Sequence, residues 1–237
     1  MKKTIFALIL MFSLLFALTA CGGDKTPATE NPGNSDSPVT TDEPGSEAPS
    51  DTVDPNEAIT EEMVRSHAVT PAEDFSYDVA DDGVTIRSYK GSDTIVVIPE
   101  EIEGKKVVKF KNLVFGNDSP VRAVLFPTSV KELGSVFTNS KVIEVVICES
   151  VTKFERGVFS NCPALRQVIL GENLQEVGPG VFFGCSQLKE LHFTEALTKI
   201  DGAEAAFAGC DNLTIYAPAG SYAETFANEN NIPFKAE

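Results

Sequence analysis

The stretch Val158-Phe159-Ser160-Asn161-Cys162-Pro163-Ala164-Leu165 decides the fold, because its parts return at a nearly fixed spacing. Phe115, Phe137, Phe159, Phe182 and Phe207 lie 22, 22, 23 and 25 residues apart, preceded by Val114, Val136, Val158, Val181 and Ala206. Two residues after each Phe stands Asn117, Asn139, Asn161, Gly184 or Gly209; Asn and Gly most readily take a positive φ. A left-handed turn is therefore predicted at that point of every period. The next position reads Asp118, Ser140, Cys162, Cys185 and Cys210. Three residues further comes Val121, Ile143, Leu165, Leu188 or Leu213.

From that apolar residue the chain alternates as a short strand does, in Val124-x-Phe126, Val146-x-Cys148, Val168-x-Leu170 and Leu191-x-Phe193. A turn follows, then a second apolar pair: Val130/Leu133, Val151/Phe154, Leu174/Val177 and Leu197/Ile200, with Val107/Phe110 one period earlier. Units this short cannot bury their own apolar side chains, so they must stack. These residues resemble the leucine-rich repeat, and specifically its bacterial BspA-like variety, which Val158 to Leu165 matches closely. The Asn that ordinary leucine-rich repeats place after the strand is missing in register. The resemblance covers nearly all of residues 75–237. It implies a repeat solenoid of short parallel β-strands with turns and little helix, and relatives associated with adhesion to host matrix proteins or other cells.

The ends read as caps. Tyr77-x-Val79 and Val84-x-Ile86 flank Asp81-Asp82-Gly83, a hairpin signal. Near the C-terminus Pro218 stops a strand that begins at Leu213, and Ser221 is placed to cap a short helix from Tyr222 to Asn228. The expected organisation is an N-terminal β cap over 71–106, about five repeats over 107–213 and a C-terminal cap over 214–237.

Upstream the composition changes. Lys2 and Lys3 precede an apolar run from Ile5 to Ala17, the layout of a secretory signal and short for a membrane span. Leu18-Thr19-Ala20-Cys21 resembles the lipobox of bacterial lipoproteins, which implies a signal peptide over 1–20 and acyl chains on Cys21 that hold the protein to a membrane outside the cytoplasm. Residues 21–70 carry prolines at 27, 32, 38, 44, 49 and 55 and few large apolar residues, so they read as a disordered acidic tether. Only weak cap signals favour a short helix between Asn56 and His67.

Eleven acidic and two basic residues fall within 22–70, and the whole chain carries a formal charge of −16. Such a balance argues against nucleic acid and anionic bilayers as binding partners. Cys162, Cys185 and Cys210 share one repeat position with Ser140 and Asp118, so they read as small buried side chains; whether these or Cys148 form disulfides stays open. Cys-x-x-Cys and zinc-type spacings do not occur, and His67 and His192 are the only histidines. No catalytic residue, metal ligand or cofactor site is therefore assigned.

Opposite the core-facing parity of the strands lie Leu125, Ile147, Ile169 and His192, flanked by Val145, Gln167 and Glu190. Stacked strands would align the first four as an exposed row, and such rows often mark contact surfaces. This row is the expected binding face for a protein or glycan ligand on a host or bacterial surface. An envelope scaffold that binds a wall or membrane-protein partner is the alternative.

Overall fold

A computed structural model describes residues 57–237; the signal, Cys21 and the proposed tether as far as residue 56 lie outside the described residues. The described residues open with α1 (Glu61–Ser66) and a 3-10 turn (Ala72–Asp74), followed by an antiparallel hairpin of β1 (Phe75–Ala80) and β2 (Gly83–Tyr89). The first rung, β3 (Ile95–Val97), precedes a second hairpin of β4 (Glu101–Ile102) and β5 (Lys105–Phe110), and β5 also lies parallel to β2. Glu103 and Gly104, with φ of 52° and 73°, make the tight turn of that second hairpin. Thr70 seals the outer edge of β3: its N–H donates to the Val97 carbonyl, and its hydroxyl accepts from Val97 N–H.

The repeats then alternate two strands per coil. On one side stand β6 (Ala123–Leu125), β8 (Val145–Cys148) and β10 (Gln167–Leu170), which extend β3 as one parallel sheet in unbroken register. Across the core lie the two-residue strands β7 (Glu132–Leu133), β9 (Lys153–Phe154), β11 (Glu176–Val177) and β13 (Lys199–Ile200). The remaining strands, β12 (Glu190–His192), β14 (Thr214–Ala217) and β15 (Phe234–Ala236), form a third parallel sheet. The architecture expected from the repeat therefore holds: this is a stack of parallel coils with little helix.

The Phe residues bind the coils together. Rings of Phe115, Phe137, Phe159, Phe182 and Phe207 stack with centroids 5.3–5.6 Å apart and interplanar angles of 10–22°. Each Phe N–H from 115 to 182 donates to the residue before the next Phe: Val136, Val158, Val181 or Ala206. Tyr89 closes one end of the ladder and Phe226 the other, at 6.0 and 5.8 Å. Phe226 comes from α3 (Tyr222–Glu229), whose N-cap Ser221 accepts from Glu224 N–H. The longest interval, between Phe182 and Phe207, absorbs its extra residues in α2 (Ala203–Ala206), a single helical turn.

The turn expectation also holds. Asn117, Asn139, Asn161, Gly184 and Gly209 all have φ between 50° and 82°. Beside this turn the thiols of Cys162, Cys185 and Cys210 each donate to the carbonyl one coil back, of Phe137, Phe159 and Phe182, at 3.0–3.1 Å. At the equivalent place Ser140 Oγ accepts from Ile143 N–H. All four cysteines among the described residues are free and buried. Burial holds the thiols of Cys148 and Cys185 far above their usual range and pushes Cys162 up to about 12 and Cys210 to about 11.

Three outcomes test this packing. Phe159→Ala should cost about 3–5 kcal/mol in denaturant unfolding, since the ring is stacked on both faces. Asn161→Val should also destabilise, because a β-branched side chain resists positive φ. The thiol values set an alkaline window. The unfolded chain ionises its cysteines near pH 9 while the folded chain keeps them protonated, so stability is full below pH 9 and falls as pH rises towards 11–12. The slope approaches about 1.4 kcal/mol per pH unit for each thiol, and a variant with Ser at 162, 185 and 210 should show a shallower fall over the same window.

Candidate ligand-binding face

The outward side chains of the strands form two columns, one coil apart at each step. One runs Ala123, Val145, Gln167, Glu190, Thr214, and the other Leu125, Ile147, Ile169, His192, Tyr216. Leu125, Ile147 and Ile169 do align in register as a row. That row is not an open strip, however. The helix α1 lies across its N-terminal half and buries Ile59 and Val64 against Ile95, Ala123, Val145 and Ile147, with Met63, Leu125 and Ile169 at the margin. Val145 and Ile147 are 0 and 1 % exposed. The ordered body therefore begins before residue 71, and part of the span read as tether is a cover on the β face.

Polar contacts fix that cover. Arg122 and Arg166 share Glu144 between them, at 2.7 and 3.3 Å, in a row of alternating charge across three coils. From this row Arg122 also donates to the Glu57 carbonyl and Arg166 to the Ile59 carbonyl. At the far end of the helix Arg65 grips Glu149 with both terminal nitrogens, at 2.8 and 3.2 Å, and Glu61 with Nε. This last pair is half exposed and contributes little energy, so it sets orientation. The start of α1 shows why its signal was weak. Thr60 Oγ1 accepts from Met63 N–H in the usual way, but the reciprocal bond runs from Thr60 N–H to the Met63 sulfur, at 3.5 Å, where a Glu or Gln normally stands.

Beyond α1 no described residue covers the face, and its chemistry changes. The columns turn from Ala123/Val145 to Gln167/Glu190 and from Leu125/Ile147 to His192/Tyr216. Glu190 and His192 are exposed, and Gln167 and Ile169 are half buried. The backbone ladder also breaks here: β10 ends one sheet and β12 begins another. The break opens a groove of about 550 Å³ lined by Arg166, Gln167, Ile169, Gln187, Lys189, Glu190 and His192. On its far wall His192 stacks on Tyr216, with centroids 4.6 Å apart and rings within 12° of parallel. The stack is braced at its edges. His192 Nδ1 lies 3.0 Å from Glu237, Lys235 donates to the Tyr216 hydroxyl at 3.0 Å, and that hydroxyl reaches Glu190 at 3.3 Å.

A second hollow lies across the core beside β9, β11 and β13, and four of its lining charges are paired, Lys153 with Glu176 and Lys199 with Asp201. Among the described residues no group of three His, Cys, Asp or Glu side chains is placed to hold a metal ion, and no helix is long and apolar enough to cross a membrane. The repeat pattern did not reveal Tyr216, Gln187, Lys189, Lys235 and Glu237 as members of the site. Tyr216 carried a readable signal, since it continues the Leu125–Ile147–Ile169–His192 column by one more coil.

Comparison with known proteins fits this geometry. The family described as the BspA type leucine rich repeat region matches residues 94–215 in six copies. The chain belongs to the BspA-type leucine-rich repeat family. The match begins just ahead of β3, one strand before the coils that the Phe spacing registers. Among solved structures, a Treponema pallidum leucine rich repeat protein (TpLRR) is similar at 25% identity and a TM-score of 0.58, over 63% of this chain and 71% of that one. A leucine rich cell surface protein of Faecalibacterium prausnitzii A2-165 is similar at 20% identity, with a TM-score of 0.44 over 64% of this chain and 55% of that one. A leucine-rich repeat protein of Bacteroides ovatus ATCC 8483 is similar at 16% identity, with a TM-score of 0.31 over 65% and 54%. This chain thus spans about half the length of the last two. No curated protein matches significantly. Stacked solenoid repeats offer extended binding surfaces, and in this chain α1 covers the N-terminal half of the strand face.

Local release of the cover is testable. Ile59→Ser should loosen α1 without unfolding the coils. In native-state hydrogen exchange the amides of Met63 and Val64 should then lose protection while those of β8 retain theirs. Equal loss in both would make α1 part of the cooperative core.

Proposed function

We propose that this BspA-type protein is an exported lipoprotein, anchored through Cys21, whose solenoid binds a protein or glycan on a host or neighbouring cell. One observation carries the placement of the ligand: the β face changes from aliphatic to polar and aromatic at the edge of α1, where cover gives way to groove. Gln167, Ile169, Glu190 and His192 are the contact residues in this reading. Leu125, Val145 and Ile147, which the row first suggested, support the cover instead. No catalytic or cofactor role is assigned.

An envelope partner is the second reading, and the chain length favours it. Only residues 22–56 lie between Cys21 and the described body. Thirty-five residues reach at most about 120 Å in any conformation, so a thick wall would keep the groove within the envelope.

Two experiments test the reading. Cys21→Ala should move the protein from the membrane fraction to the medium or the soluble envelope fraction. A photo-crosslinking residue at Gln167 should capture a partner on intact cells, while the same residue at Lys153, across the core, should not. Equal capture from both positions would remove the groove from the site. Partners drawn only from the producing cell would replace adhesion by the envelope reading.

A further inference from the structure

The groove between β10 and β12 has a chemistry that narrows what it can hold. Cα atoms of the two strands approach within 8 Å. A strand inserted between them would need twice the ladder spacing, about 9.6 Å, so the broken ladder has no room for an added peptide strand. A ligand must instead rest on the side chains above the break. Where this face does hold polypeptide, under α1, it uses small aliphatic side chains below and arginines to the peptide carbonyls. Neither device continues past Arg166.

The side chains that replace them share another logic. Tyr216 covers one face of the His192 imidazole, and β10 lies on the side of β12 away from β14, so the other ring face looks into the groove towards Ile169. Glu237 fixes the ring edge. A flat ring opposite an aliphatic side chain suits a ligand with flat C–H faces. Around it stand the amides of Gln167 and Gln187, each both donor and acceptor, which no described residue engages. Lys189 and Glu190 add one charge of each sign, and Arg166 is already matched by Glu144. The groove is thus nearly neutral and offers donors and acceptors in mixture. Its volume falls within the usual range for small ligands, about 300–1,000 Å³.

We propose that this groove is a subsite for a neutral oligosaccharide, with a pyranose face stacked on His192 and hydroxyls bonded to Gln167 and Gln187. The proposal rests on the reading of the β face as the binding surface and names its ligand class. Isothermal titration of the full-length chain in detergent, with the pentamers of cellulose, chitin, starch and mannan sugars as probes, tests it. At least one pentamer is expected to bind with a Kd on the order of 0.1–1 mM, or −4 to −5.5 kcal/mol. His192→Ala and Gln167→Ala should each weaken that binding tenfold or more, with unchanged thermal unfolding. His192→Phe should preserve it, because the ring face matters and the charge does not. Lys153→Ala should leave it untouched. The proposal is overturned if no pentamer binds, if His192→Phe fails as completely as His192→Ala, or if binding survives both alanine variants. Capture from position 167 of a protein that remains bound after enzymatic deglycosylation, with no pentamer bound, would overturn the saccharide while leaving the surface reading intact.

Discussion

A phenylalanine ring in each coil has to meet the ring of the next, and most of the molecule is arranged so that it can. Rings 5.3–5.6 Å apart require coils of nearly equal length, with extra residues diverted outward. They also require a backbone that turns sharply within two residues of each ring. The positive φ at Asn117, Asn139, Asn161, Gly184 and Gly209 makes that turn, and at the last four the thiol or hydroxyl that follows satisfies backbone groups inside it. Even the caps serve the stack, since Tyr89 and Phe226 stand where a further ring would be.

This dependence explains which parts were legible in the sequence. The Phe period, the Asn or Gly two residues later and the Cys/Ser position are local and repeated, so they define the coils, the left-handed turns and the buried thiols. The strand face was legible only as a column of side chains, because its cover comes from outside the repeat. Thr60-x-x-Met63 closes its capping box through sulfur, and a helix of six residues has little propensity of its own. What orders it is tertiary: Ile59 and Val64 settle on Val145 and Ile147, and Arg122 and Arg166 take up the carbonyls of Glu57 and Ile59 just ahead of it. Likewise His192 was visible as a lone histidine, whereas its meaning depends on Tyr216 and Glu237, one coil and 45 residues further on.

The face is therefore divided by use. Its N-terminal half is spent on holding the approach of the chain, and the aliphatic side chains there are core in all but position. Its C-terminal half keeps the amides of Gln167 and Gln187, which no described residue engages, beside a stacked pair of rings. An apolar row read from strand parity marks where something packs, without saying whether that something is a ligand or the protein itself.

The clamp on α1 has a mechanical side. The covalent chain leads from Glu57 back towards Cys21, so a pull between the proposed anchor and a bound partner would enter the module at Glu57. It meets the Arg122 contact first and the Arg166 contact two residues later, and α1 after that. Bonds met one after another are peeled, whereas the parallel ladders behind them share load across the stack. The cover would give way under tension before any coil did, lengthening the leash by some ten residues and uncovering Val145 and Ile147 beside the groove.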